Sequence, residues 1–95
     1  MAQIKWSLQA NDDIESIAEY IGKDSEKYAS LFVHKVIDSV QRLIDFPDSG
    51  RIVPELNNCT IRELIIGNYR IIYRFKKDII EILTIYHSAR SLSEL

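Results

Sequence analysis

Seven residues toward the end of the chain carry side chains that can hold an anion or move a proton: Arg62, Glu63, Arg70, Arg74, Tyr86, His87 and Arg90. Tyr86 and His87 are adjacent and Arg90 follows three residues later, so a phenol, an imidazole and a guanidinium gather at one place. Such a set can act on a ribose 2′-hydroxyl, one group taking its proton, another protonating the leaving oxygen, and arginine steadying the phosphate. The set is incomplete for a nuclease, with one histidine and no lysine cluster beyond Lys76-Lys77. A histidine that merely ends a strand is the plainer reading. Ser88 and Ser91 lie near His87, but adjacency in sequence is poor grounds for a nucleophilic triad.

Metal and phosphate-loop chemistry fail on counting. His34 and His87 are the two histidines and Cys59 the one cysteine, with no paired ligand spacing, so no metal or other cofactor is expected. A single cysteine also forbids an internal disulfide, as suits a reducing compartment. Gly22, Gly50 and Gly67 stand singly rather than in a phosphate-cradling loop.

The candidate residues need a scaffold, and alternation supplies one. Apolar residues alternate with charged and aromatic ones through 62–66, 69–75 and 79–86, with Gly67-Asn68 and Lys77-Asp78 as turn signals, so three antiparallel strands in a meander are expected. On the middle strand Tyr69, Ile71, Tyr73 and Phe75 share the face expected to be core. Arg70, Ile72 and Arg74 share the other, expected to be open, with the two guanidiniums close enough to hold phosphates or carboxylates. The alternative is that these arginines are ordinary solvated residues or pair across strands with Glu63 or Glu81.

Ahead of the meander, Gln3 to Ser7 alternates as a short strand that joins the sheet at a place the pattern does not fix. Ser7 then offers a cap, with Asp12, Asp13 and Glu15 placing negative charge early in a helix and Gly22 stopping it. Ser25 caps a second helix whose apolar residues, from Ala29 through Val36 to Ile44, recur at helical spacing until Pro47. Lys23-Asp24 is too short a link for anything but an antiparallel helical hairpin. Pro47-Asp48-Ser49-Gly50 reads as a turn, and the aperiodic stretch from Arg51 to Cys59 as a crossing loop.

The whole is one α+β domain, residues 1–95: an N-terminal strand, then a helical hairpin packed on one face of a small antiparallel sheet that the meander completes. No run suits a membrane span or signal peptide, so a cytoplasmic protein without membrane contact is expected. Residues 1–50 hold five Lys/Arg and nine Asp/Glu, a net of −4, and residues 51–95 hold seven and five, a net of +2. An anionic partner would therefore meet the sheet half, although the net charge of −2 disfavours a protein that grips long nucleic acid.

Several motifs, in order along almost the whole chain, resemble the RelE/ParE family of bacterial type II toxins. They are Trp6-Ser7 before an acidic helix, Asp45-Phe46-Pro47-Asp48-Ser49-Gly50-Arg51, Arg62-Glu63-Leu64, Gly67-Asn68-Tyr69-Arg70-Ile71-Ile72-Tyr73-Arg74 and Ile85-Tyr86-His87-Ser88-Ala89-Arg90. The resemblance implies a helical hairpin on a small antiparallel sheet, with the N-terminal strand beside the meander. It is nearer the branch that poisons DNA gyrase, because the basic residues a RelE-type mRNA endonuclease uses before the meander are replaced by Val53-Pro54-Glu55-Leu56-Asn57-Asn58. It further implies a cognate antitoxin in a hetero-oligomer, and Arg62, Arg70, Arg74, Tyr86, His87 and Arg90 as candidates for contact with antitoxin or target. The alternative activity is a metal-independent, ribosome-dependent mRNA endonuclease using Arg62, Glu63, Arg70, Tyr86 and His87. A third reading is an inactive module that only binds its antitoxin.

Overall fold

A computed structural model describes residues 2–89 in the element order β1 (Gln3–Trp6), α1 (Leu8–Gly22), α2 (Glu26–Arg42), β2 (Arg51–Ile52), β3 (Ile61–Ile66), β4 (Tyr69–Lys76) and β5 (Ile79–His87). Arg90 and the tail that follows lie outside the described residues. The strands form one sheet in the order β1-β5-β4-β3-β2, and the helices lie together across one face of it.

Both hairpin turns follow from their residues. Gly67 has φ +57, an angle glycine adopts without steric penalty, and it opens the two-residue loop between Ile66 and Tyr69. Lys77 and Asp78 both have positive φ, as the second two-residue loop between Lys76 and Ile79 requires. β3–β4 and β4–β5 are antiparallel as expected, but β1 pairs with β5 in parallel, Ile4 opposite Ile80 and Trp6 opposite Ile82. The sheet is therefore mixed. The reason lies in the connection, since β1 leads into a helical hairpin long enough to carry the chain across the sheet before it returns.

Ser7 caps α1 by accepting from Ala10 N at 2.9 Å and donates its own proton to Leu83 O at 2.8 Å, tying the helix start to β5. Asp13 does more than complement the helix dipole. Its Oδ2 accepts from Thr84 Oγ1 at 2.6 Å and from Ile85 N at 3.0 Å, beside a bulge where β4 and β5 slip register between Ile72 and Tyr73. A bulge leaves backbone groups unpaired in the ladder, and Asp13 supplies the missing acceptor. Gly22 takes no left-handed conformation, so α1 ends by its own terminal hydrogen bonds instead, Asp24 N and Ser25 N donating to Ile21 O. α2 stops at Arg42, short of Pro47, and tightens into three-residue turns as Leu43 N, Ile44 N and Asp45 N each donate three residues back.

The core sits between the helices and the sheet. Ala10, Phe32, Val36, Val40 and Leu43 meet Ile71, Tyr73, Ile80, Ile82 and Ile85, with Tyr69 and Phe75 at its margin. Each fully buried isoleucine or leucine contributes about 1.5–3 kcal/mol of transfer free energy. On the opposite face Val53, Ile72 and Tyr86 form a second, smaller cluster flanked by Ile61 and Leu83. The stretch expected to be only a crossing loop thus contains a short edge strand, β2, and an apolar anchor, Val53, that lies over the sheet.

Candidate functional site

Glu63, Arg70 and Tyr86 come together beneath the segment that carries Val53 and Glu55. Arg70 Nε donates to Glu63 Oε1 at 2.6 Å, while its Nη1 and Nη2 donate to the two oxygens of Glu55 at 2.8 and 3.0 Å. Arg51 binds the other oxygen of Glu63 through Nε. The Arg70 guanidinium carbon lies 5.3 Å from the centre of the Tyr86 ring. Arg70 is 5% and Glu63 1% exposed. Arg70 therefore does not project from an open face, as alternation alone had suggested. It does lie opposite the helices, but Val53 and Glu55 close over that end of the sheet.

This geometry locks the charge on Arg70. Hydrogen bonding to Glu55 raises its pKa beyond the usual arginine value, with Glu63 adding to the effect and burial opposing it. The bidentate fork to Glu55 also fixes the guanidinium plane. An arginine held this way fastens the 53–55 segment to the sheet.

Arg62 points to the helix side and its Nη1 donates to the carbonyls of Asp48 and Gly50, at 3.2 and 2.9 Å. It holds the 47–50 turn together with Tyr73, its partner in register, whose hydroxyl donates to Pro47 O and accepts from Gly50 N, both at 2.9 Å. Burial raises the Tyr73 pKa, the Gly50 hydrogen bond opposing it, so the phenol stays neutral and able both to donate and to accept. Gly50 is required by close approach, because a Cβ there would lie 2.6 Å from Tyr73 Oη and 2.7 Å from Glu63 O.

His87 takes the side opposite to Tyr86. Its ring stands edge-on to Tyr69 at 5.5 Å, Tyr69 stands 5.1 Å from Phe32 of α2, and His87 Nδ1 accepts from Ala89 N at 3.1 Å. Side chains of adjacent strand residues point to opposite faces, so the sheet lies between the phenol and the imidazole. Arg74 is exposed and pairs with Glu81 directly across from it, the cross-strand alternative anticipated for these arginines. Arg70 and Arg74 are four residues apart, about 13 Å at the strand rise, and do not share one phosphate.

Sequence reasoning missed Glu55, Arg51, Val53 and Asp13. Glu55 and Val53 lie in an aperiodic segment with no pattern to mark them. Asp13 carried a signal, an acidic residue on the same side of α1 as Ile14 and Ile17, that dipole complementarity explained too readily. Among the described residues no group of three or more His, Cys, Asp or Glu could hold a metal ion.

Residues 4–92 match the sequence profile of the ParE toxin of type II toxin-antitoxin system, parDE. The chain belongs to the ParE toxin family. It is similar to Y4kP of Sinorhizobium fredii, a protein named as a toxin, with 36% identity over 88 residues covering 90% of this chain and 88% of that protein. It is also similar to toxin RelE2 of Caulobacter vibrioides, with 32% identity over 91 residues covering 95% and 99%. A solved structure of the chromosomal ParDE system from P. aeruginosa has the same fold, with a TM-score of 0.73 over 92% of this chain and 96% of that one at 23% identity. The motifs that carry the family resemblance have identifiable jobs in this fold. The 45–51 motif is the turn that Tyr73 and Arg62 hold, and the 69–74 motif is the strand from which Arg70 fastens Glu55 and Glu63.

Proposed function

We propose that this ParE-family toxin inhibits growth by binding DNA gyrase rather than by cutting RNA, and that a cognate antitoxin neutralises it. The observation that carries the reading is the divergence of the candidate acid-base groups. His87 stands edge-on to Tyr69 at the helix side, Tyr86 packs against Arg70 at the opposite side, and Arg70 is committed to two carboxylates. A metal-independent ribonuclease needs such groups within hydrogen-bonding reach of a single phosphate, and these do not converge. Toxicity through binding needs only surfaces.

The antitoxin has an apolar trough to cover, where Leu31, Phe46 and Ile65 are exposed beside Lys35 and Arg42 of α2. An amphipathic acidic segment fits this surface, with apolar side chains in the trough and carboxylates toward the cations. The proposed site of action is the cytoplasm, because the proposed target, gyrase, works there.

The test adds purified toxin to purified gyrase and, separately, to translating ribosomes. The expected result is loss of supercoiling with intact mRNA, and restored supercoiling when the cognate antitoxin is added. Normal supercoiling together with cleavage of ribosome-bound mRNA would overturn the gyrase reading in favour of the endonuclease. Normal outcomes in both assays, with antitoxin binding retained, would favour the inactive module.

A further inference from the structure

At the far end of the sheet's open face a shallow cavity of about 400 Å³ is lined by Lys5, Arg74, Lys76, Lys77, Ile79 and Glu81. Four cations therefore face one carboxylate. The topology collects them from distant parts of the chain. Lys5 of β1 stands opposite Glu81 of β5, which stands opposite Arg74 of β4, so the three form one row across three strands. Lys76 projects on the same face two residues along β4, about 7 Å further at the strand rise, and Lys77 follows in the turn. Arg74 pairs with Glu81, while Lys5, Lys76 and Lys77 have no ion-pair partner among the described residues. All three lysines are exposed.

We infer that this surface is a contact site for the phosphodiester backbone of a nucleic-acid duplex, read by charge and without base sequence. Three features separate that occupant from an acidic protein or a single strand. The lining is cationic with one partly buried aliphatic side chain, Ile79, whereas a protein interface is built around a desolvated apolar or aromatic anchor. It has no aromatic face, whereas single strands are held by stacking of their bases. Lysine is a point charge with freely rotating donors, suited to phosphates whose position along a duplex is not fixed. The acidic first half of the chain, with nine Asp/Glu against five Lys/Arg, is repelled by the same polyanion and orients the sheet end toward it. The inference stands apart from the gyrase reading, because it concerns a duplex bound by the toxin itself.

The experiment measures binding of the toxin to a short mixed-sequence DNA duplex, and to an RNA duplex of the same length, as salt rises. Engagement of about three phosphates predicts a log–log slope of about −2.7, or ~40-fold weaker binding at ~200 mM than at ~50 mM salt. The triple variant Lys5→Gln/Lys76→Gln/Lys77→Asn should bind at least ~10-fold more weakly at the lower salt, with its slope near zero. Asparagine is chosen at 77 because that residue has φ 53, a conformation asparagine tolerates. A control variant, Lys23→Gln/Lys27→Gln, changes the net charge elsewhere and should bind as wild type does. Loss on both duplexes identifies backbone charge as what is read, and loss on one alone names that duplex as the ligand. Unchanged binding in the triple variant with an unaltered melting temperature overturns the inference. So does equal loss in the control, or displacement of the duplex by polyglutamate at a lower charge concentration than an unlabelled competing duplex needs, which would make the surface a dock for acidic protein.

Discussion

Arg70 and Arg74 stand on the same strand and the same face, four residues apart, each beside glutamate, and end in opposite circumstances. Arg70 is 5% exposed and joins Glu55 and Glu63 under a covering segment, whereas the Arg74 side chain is 48% exposed in a single pair with Glu81. The difference comes from what crosses above them. Val53 packs on Ile72 and Tyr86 and brings Glu55 down onto Arg70, and no equivalent segment lies over Arg74 among the described residues. Residue type and alternation are the same at both positions, yet one arginine is an internal fastening and the other belongs to an open cationic surface.

The sharpest way to break that contrast is to remove Arg70. In Arg70→Met the carboxylate of Glu63, buried at 1% exposure, keeps only Arg51, and Glu55 loses both bonds of its fork. Breaking a buried pair from one side costs about 3–5 kcal/mol, which for a 95-residue domain is a large share of its stability. Denaturant unfolding should show that loss. Arg70→Met combined with Glu63→Leu and Glu55→Gln should recover part of it, because no buried charge is then left alone. No recovery would mean that the loss comes from the packing and bridging of the Arg70 side chain itself and not from carboxylates left without a partner.

The second prediction concerns Asp13, the matching fastening on the helix side. Asp13→Ala removes the acceptor for Ile85 N and Thr84 Oγ1 at the β4–β5 bulge. Hydrogen bonds to a charged group contribute about 1.5–3 kcal/mol, and a loss of about 2–3 kcal/mol is expected, with faster amide exchange at Ile85 as its local sign. A loss below ~0.5 kcal/mol would show that the bulge finds another acceptor.

These two sites mark where sequence reading reached and where it stopped. The helical hairpin, the meander, both two-residue turns and the core face of β4 followed from periodicity and turn chemistry, because each is a local signal repeated over several residues. What escaped was set by long-range contact. Glu55 meets Arg70 fifteen residues away and Asp13 meets Thr84 seventy-one residues away, and neither partner carries a pattern that points to the other. The placement of His87 and Tyr86 on opposite faces was readable from alternation, but their adjacency suggested one site and obscured it. The two-residue strand β2 was too short to alternate.

Tyr73 offers a smaller and pH-dependent test. Tyr73→Phe leaves Gly50 N and Pro47 O without their partner, and a loss of about 1–2 kcal/mol is expected at neutral pH. Burial raises the folded-state pKa of this phenol, so the neutral form is favoured by folding. Its contribution is fully present below the unfolded value of about 10 and is lost as pH rises through the folded one. Wild type should therefore lose stability more steeply above about pH 10 than Tyr73→Phe does. Parallel curves would show that Tyr73 ionises in the folded protein as freely as in the unfolded chain.

The smallest effect should come from Arg74, and its smallness is the point of the comparison. An exposed pair gains little Coulomb energy in high dielectric and orders two long side chains, so a double-mutant cycle of Arg74→Gln with Glu81→Gln should give a coupling of about 0.2–1 kcal/mol. Added salt should erase it, because screening acts on exposed charges. The corresponding cycle on Arg70 and Glu63 should be several-fold larger and nearly salt-independent, since that pair is closed off from solvent. Equal couplings at the two sites would mean that the cover of Val53 and Glu55 does not exclude water. The distinction between a fastened and a free arginine on β4 would then rest on geometry alone. If the couplings differ as expected, neutralising Arg74 leaves the fold intact, so any change it makes in toxin behaviour reports on the open surface itself.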